Sequence, residues 1–140
     1  MLTLRVALAL SFLSAVADRF GLWGPPGAPN VAWGNFDKFV EFTGLLLWLL
    51  PSAVVPLFGW IATIAEVVLA IGLLSGRYLR WFALASCILL LSFAASMTLS
   101  LGVETAFTYS VWTAAASAFL LACIDPAQPT DIKNDGGVSP

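Results

Sequence analysis

From Ser52 to Ser75 the chain carries a single ionisable side chain, Glu66, in an otherwise apolar run. At about 1.5 Å per residue, a helix of that length crosses a hydrocarbon layer of roughly 30 Å. Three further apolar runs occur in the same chain, and the last two connections are short turns. Only 10% of the 140 residues are charged and 60% are hydrophobic. A water-soluble domain carries about 25% charged residues, so this chain has too few to cover a water-facing surface. Lipid is the solvent that such a pattern fits. The net charge of −2 and the lack of any basic run give no footing for a nucleic acid.

The punctuation sets the elements. The first run covers about residues 2–19, with Arg5 near its start and Asp18 and Arg19 at its end. It also reads as a secretory signal, with Arg5 as the basic region and Ala15-Val16-Ala17 as a cleavage site. Gly21, Gly24, Pro25, Pro26, Gly27, Pro29 and Gly34 then make a loop, with Trp23 and Trp33 suited to the headgroup level. Asn35 is a helix N-cap with Asp37 in the first turn, and Phe36, Phe39, Val40 and Thr43 recur at helical spacing. The segment 35–50, ended by Pro51, is too short to span and is predicted to be an interfacial helix. Further spans are predicted at about 52–75, 81–101 and 105–124. The expected fold is therefore all-α: a four-transmembrane-helix bundle over residues 1–125, with an additional interfacial helix in the first extracytoplasmic loop. Residues 126–140, rich in Pro, Asp, Asn and Gly, are predicted to be a disordered polar tail.

Arg77 and Arg80 crowd one short loop, which should face the cytoplasm and place both termini there. Arg5 agrees with this orientation, whereas Arg19 and Lys38 do not. Membrane helices associate through close backbone approach and shared polar contacts. Ser92, Ser96 and Ser100 form one stripe of small residues, and Ser110, Ala114, Ala118 and Ala122 form another. The third and fourth spans are expected to meet along them.

Glu66 is the most informative position. It falls near mid-membrane, where a bare carboxylate is costly, so it should be protonated, paired or turned toward a wet cavity. Gly59, Thr63, Ala70 and Arg77 share its helix face, which should turn inward. If Asp18 and Ala53 both mark the outer boundary, Arg5 reaches the depth of Glu66 and is its expected partner. The Arg5–Glu66 pair is then either a packing and register device or the lining of a site for a quinone, a lipid headgroup or a proton. Alternatively, Arg5 snorkels to the surface and leaves Glu66 protonated. Asp18, Arg19, Asp37 and Lys38, with Glu41, form a second group, read as a solvated boundary or as a shallow outer polar mouth. Tyr109 and Trp112 fit an aromatic belt on that side.

The sequence holds no histidine, which removes histidine-ligated haem, mononuclear copper and the common catalytic zinc sets for this chain alone. Cys87 and Cys123 lie in different apolar runs without C-x-x-C spacing and read as packing residues. No catalytic residue and no metal ligand set is expected.

The stretch Arg5-Val-Ala-Leu8 with Phe12 and Asp18-Arg19-Phe20, followed by Trp60-Ile-Ala-Thr-Ile-Ala-Glu66, Gly72 and Gly76-Arg77, resembles the DoxX family of small bacterial membrane proteins. Asp18-Arg-Phe-Gly-Leu-Trp-Gly24 and Val31-Ala-Trp-Gly34 add to the resemblance, which covers about residues 4–125. Ala9 and Ala17 depart from it, at positions where such proteins often carry glycine. The resemblance implies a four-helix membrane bundle with Arg5 and Glu66 as its polar pair. It also implies association with a thiosulfate:quinone oxidoreductase or with membrane assemblies that handle thiols or oxidative stress.

Two functions follow as expectations. One is an accessory or anchoring subunit of a larger, redox-linked membrane complex or homo-oligomer in the bacterial inner membrane. The other is a quinone- or lipid-binding membrane enzyme or transporter built around Arg5 and Glu66. A transporter fits less well, since four spans are few for alternating access and no broken-helix repeat is visible in the sequence.

Overall fold

The computed structural model describes residues 1–124; the predicted tail lies outside them. Among the described residues there are six α-helices and one short 3-10 turn, and no strand. The helices are α1 (Leu2–Arg19), α2 (Phe36–Leu46), α3 (Val55–Ser75), α4 (Leu79–Leu101), α5 (Val103–Thr108) and α6 (Val111–Cys123). Breakers explain most of the bounds. Asn35 accepts from the Lys38 N–H and caps α2. The turn Ser52–Val54 leads into α3, which carries Pro56 in its first turn, where a missing N–H costs nothing. Gly76 closes α3 in the left-handed conformation, with its N–H on the Gly72 carbonyl. α2 ends at Leu46 rather than 50, because the chain tightens into turns through Leu47 and Leu50 ahead of Pro51.

The predicted fourth span is not one helix. Ser110 adopts φ +55 and ψ +27, which separates α5 from α6. Neither glycine nor proline marks this break, so the apolar pattern runs straight through it. α6, with 13 residues, reaches only about 20 Å. By length and composition two helices, Ser52–Ser75 and Leu79–Leu101, are able to cross a membrane. The outward faces are mostly apolar: Ile61, Ile64, Val68 and Ile71 on α3, Ile88 and Leu99 on α4, and Phe119 and Leu120 on α6 are all exposed. A surface of this kind on helices this apolar suits lipid rather than water.

The helices assemble as two pairs. α1 runs antiparallel to α3, with Arg5 beside Leu73 and Leu74 and Arg19 beside Thr63 and Glu66. α4 and α6 make the most extensive contact in the bundle. α3 and α4 form a hairpin in which Gly72 brings the Phe82 ring against the α3 backbone. α1 and α6 touch only slightly, so a gap remains between the pairs. The core of the α4–α6 pair is made of small and medium side chains: Ala83, Cys87, Leu90, Ala94 and Met97 from α4, and Ala115, Ala118 and Ala122 from α6. The serine stripe predicted for this seam lies elsewhere. Ser92 is exposed, Ser96 is half-buried, and Ser100 donates to the Leu46 carbonyl at the end of α2.

α2 is packed into the bundle, against α3, α4 and α1. A Cβ on Gly59 would touch Val40, Phe39 and Phe36, which shows how closely α2 lies on the first half of α3. Phe36 and Trp60 meet at 4.4 Å between centroids. The loop before α2 folds back over the end of α1. The Trp33 N–H donates to Asp18 Oδ2 at 2.7 Å, and the Trp23 indole donates to the Ser14 carbonyl and hydroxyl. Gly21 and Gly34, both at positive φ, let the loop close: a Cβ on Gly21 would lie 2.9 Å from the Gly34 oxygen.

Candidate functional site: a buried ion pair on a central cavity

The gap between the two helix pairs is a cavity of about 490 Å³ with mostly apolar walls. Phe12 of α1, Phe39 of α2, Phe93 of α4 and Tyr109 at the α5–α6 break stand in its wall, and Arg19 and Glu66 are its charged residues. Arg19 is 2% exposed and Glu66 2%. Arg19 Nη2 donates to Glu66 Oε1 at 2.8 Å, and Nη1 donates to the Thr63 hydroxyl at 2.9 Å. Thr63 in turn donates to the Gly59 carbonyl, so its oxygen is fixed to receive the guanidinium. The guanidinium carbon lies 3.8 Å from the Phe39 ring centroid and 5.4 Å from that of Trp33. A cation removed from water thus gains a carboxylate, a hydroxyl and two aromatic faces.

The pairing is single rather than fork-to-fork. Arg19 Nε and Glu66 Oε2 are both buried with no hydrogen-bond partner, as is Asp18 Oδ1. Buried polar atoms are nearly always satisfied, so this concentration of exceptions is informative. One donor and one acceptor are left over on the two residues that line the cavity.

Arg5 is not the partner of Glu66. Its Nε donates to the Leu73 carbonyl and its Nη2 to the Leu74 carbonyl, both at 3.0 Å, in the last turn of α3 and about two turns beyond Glu66. The alignment of Asp18 with Ala53 is displaced by roughly two to three helical turns. The level that it assigned to the end of α1 is filled by the folded-back loop and by α2. Of the inward face expected on α3, Gly59, Thr63, Glu66 and Ala70 are buried and Arg77 is exposed.

The group Asp18, Arg19, Asp37 and Lys38 does not form one mouth. Asp18 and Arg19 are buried, whereas Asp37 and Lys38 are exposed on α2, where Lys38 pairs with Glu41 at 2.8 Å. Asp18 instead borders a shallower recess with Trp23, Asn30, Trp33 and Tyr109. Trp33 and Tyr109 thus serve as walls, with Tyr109 also 6.3 Å from Phe42 between centroids. The sequence signal for Arg19 was the inward step from Thr63 to Glu66 on α3, facing Phe39 on the apolar side of α2. The register that brings Arg19 to that step is set by the loop, which carries no such mark.

Cys87 is buried and Cys123 exposed, both as free thiols. Among the described residues no group of three or more metal-ligating side chains occurs.

Fold and site together define an all-helical bundle with an apolar exterior and a buried ion pair on a central cavity. Residues 1–108 match the family described as Methylamine utilisation protein MauE. The chain belongs to that family, and the match includes Arg5, Arg19 and Glu66. The resemblance to DoxX is thereby corrected: its quoted residues, from Arg5 to Arg77, fall within a match to a different family. No curated protein and no solved structure matches the chain.

Proposed function

We propose that the chain is a multi-pass protein of the bacterial inner membrane. In this reading it serves as an accessory subunit of a redox-linked membrane system used for methylamine. The family match over residues 1–108 carries the reading. α1, α3, α4 and the α5–α6 unit are the four crossing segments, with Arg77 and Arg80 on the cytoplasmic side. The apolar exterior supports lipid as the direct neighbour. The other subunits, or further copies of the chain, pack on the helix faces.

The test is recovery of the tagged, full-length chain from its own membranes in a mild detergent, followed by quantitative mass spectrometry. Components of an amine-oxidising redox system should be enriched with it, and loss of the chain should impair growth on methylamine. A chain that always runs alone, with unchanged growth, contradicts the proposal.

A further inference from the structure

We propose that the central cavity is a binding site for a neutral, lipid-soluble phenolic molecule: a hydroxyl-bearing aromatic head on an apolar tail. The inference rests on the cavity and its ion pair, not on the accessory role, and the two can fail separately. Three observations lead to it. First, the cavity has about 490 Å³, within the range of pockets that enclose a small organic molecule. Secondly, Arg19 Nε and Glu66 Oε2 are a buried donor and a buried acceptor without partners. A hydroxyl both donates and accepts, so such a head would give its proton to Glu66 Oε2 and accept from Arg19 Nε once a turn of these side chains brings the two shielded atoms to the cavity. Thirdly, the remaining wall is mostly aromatic and aliphatic, with a few serine and threonine hydroxyls among it, and Phe39, Phe93 and Tyr109 are available to a flat ring.

Charge argues for a neutral ligand. Arg19 and Glu66 already balance one another, so an ionised head would add an unpaired charge to an apolar enclosure. The route argues for solubility in lipid. Among the cavity-lining residues, Ser11, Phe58, Ile61 and Ser92 are themselves exposed on α1, α3 and α4, so the cavity communicates with the apolar outer surface.

The test uses the full-length chain in detergent with 4-pentylphenol as probe, followed by tryptophan fluorescence and isothermal calorimetry. Saturable binding of about one molecule per chain is expected. Pentylbenzene, which lacks the hydroxyl, should bind about tenfold more weakly. Ala62→Phe and Ala114→Phe each push a ring into the cavity from α3 and α6 while leaving the ion pair in place, and either should weaken 4-pentylphenol by tenfold or more. The variant used is the one that elutes as a monodisperse species with native helicity. Equal affinity for pentylbenzene would overturn the role of the polar atoms. Unchanged binding in the folded cavity-filled variant, or no saturable binding to the parent chain, would overturn the site. Co-purification of partners bears on none of these outcomes, so it tests the accessory role alone.

Discussion

Helix α1 carries an arginine near each end, and both reach α3, yet they do different things. Arg5 gives two hydrogen bonds to backbone carbonyls in the last turn of α3, groups that no helix can satisfy from within. It is only partly buried, and water or a lipid headgroup could take its place. Arg19 is buried at the wall of the cavity and holds a carboxylate, a hydroxyl and an aromatic face. Nothing can substitute for it without a charge being left bare. The same guanidinium is therefore a helix cap at one end and the centre of a site at the other. What separates the two roles is burial and the kind of acceptor, not the distance to a partner.

The comparison can be broken most severely at Glu66. Glu66→Ala leaves Arg19 as an unpaired buried cation and should cost about 3–5 kcal/mol in reversible unfolding from mixed micelles. Replacing both partners, Arg19→Met with Glu66→Leu, should recover much of that loss, because the desolvation of both charges disappears as well. At the Arg5 end the sensitive position is a glycine. Gly72→Ala drives a Cβ into the Phe82 ring and should cost about 1–3 kcal/mol, read as a fall in thermal midpoint. Arg5→Gln should cost about 1 kcal/mol, with faster amide exchange confined to the last turn of α3. Smallest of all, Lys38→Ala removes an exposed i,i+3 pair with Glu41 and should change stability by less than about 0.5 kcal/mol.

These contrasts also show what the sequence makes legible. Helix ends announced by local chemistry were readable at the Asn35 cap and the left-handed Gly76, whereas α2 stops at Leu46, ahead of the predicted stop at Pro51. The break at Ser110 was not, because its left-handed serine sits in an apolar run without glycine or proline. The inward face of α3 was readable from the spacing of Gly59, Thr63 and Glu66. The residue facing it was not. Antiparallel apolar helices can slide past one another by whole turns with little change in their pattern. Here the register is fixed by loop contacts such as Trp33 to Asp18 and by the packing of Phe39, none of which is periodic. The serine stripe on α4 shows the same limit. Small residues identify a face that something approaches closely, but Ser92 and Ser96 border the cavity while alanines fill the α4–α6 seam.

Double-mutant cycles test the central claim, that Arg19 and not Arg5 answers Glu66. Arg19→Met, Arg5→Met and Glu66→Gln would be made singly and in both pairs, with unfolding free energy measured in one detergent system. The structure predicts a coupling of about 1–3 kcal/mol between Arg19 and Glu66, and additivity within about 0.5 kcal/mol for Arg5 with Glu66. Strong coupling of Glu66 to Arg5 together with additivity for Arg19 would contradict the register of α1 on α3 and the site built on it.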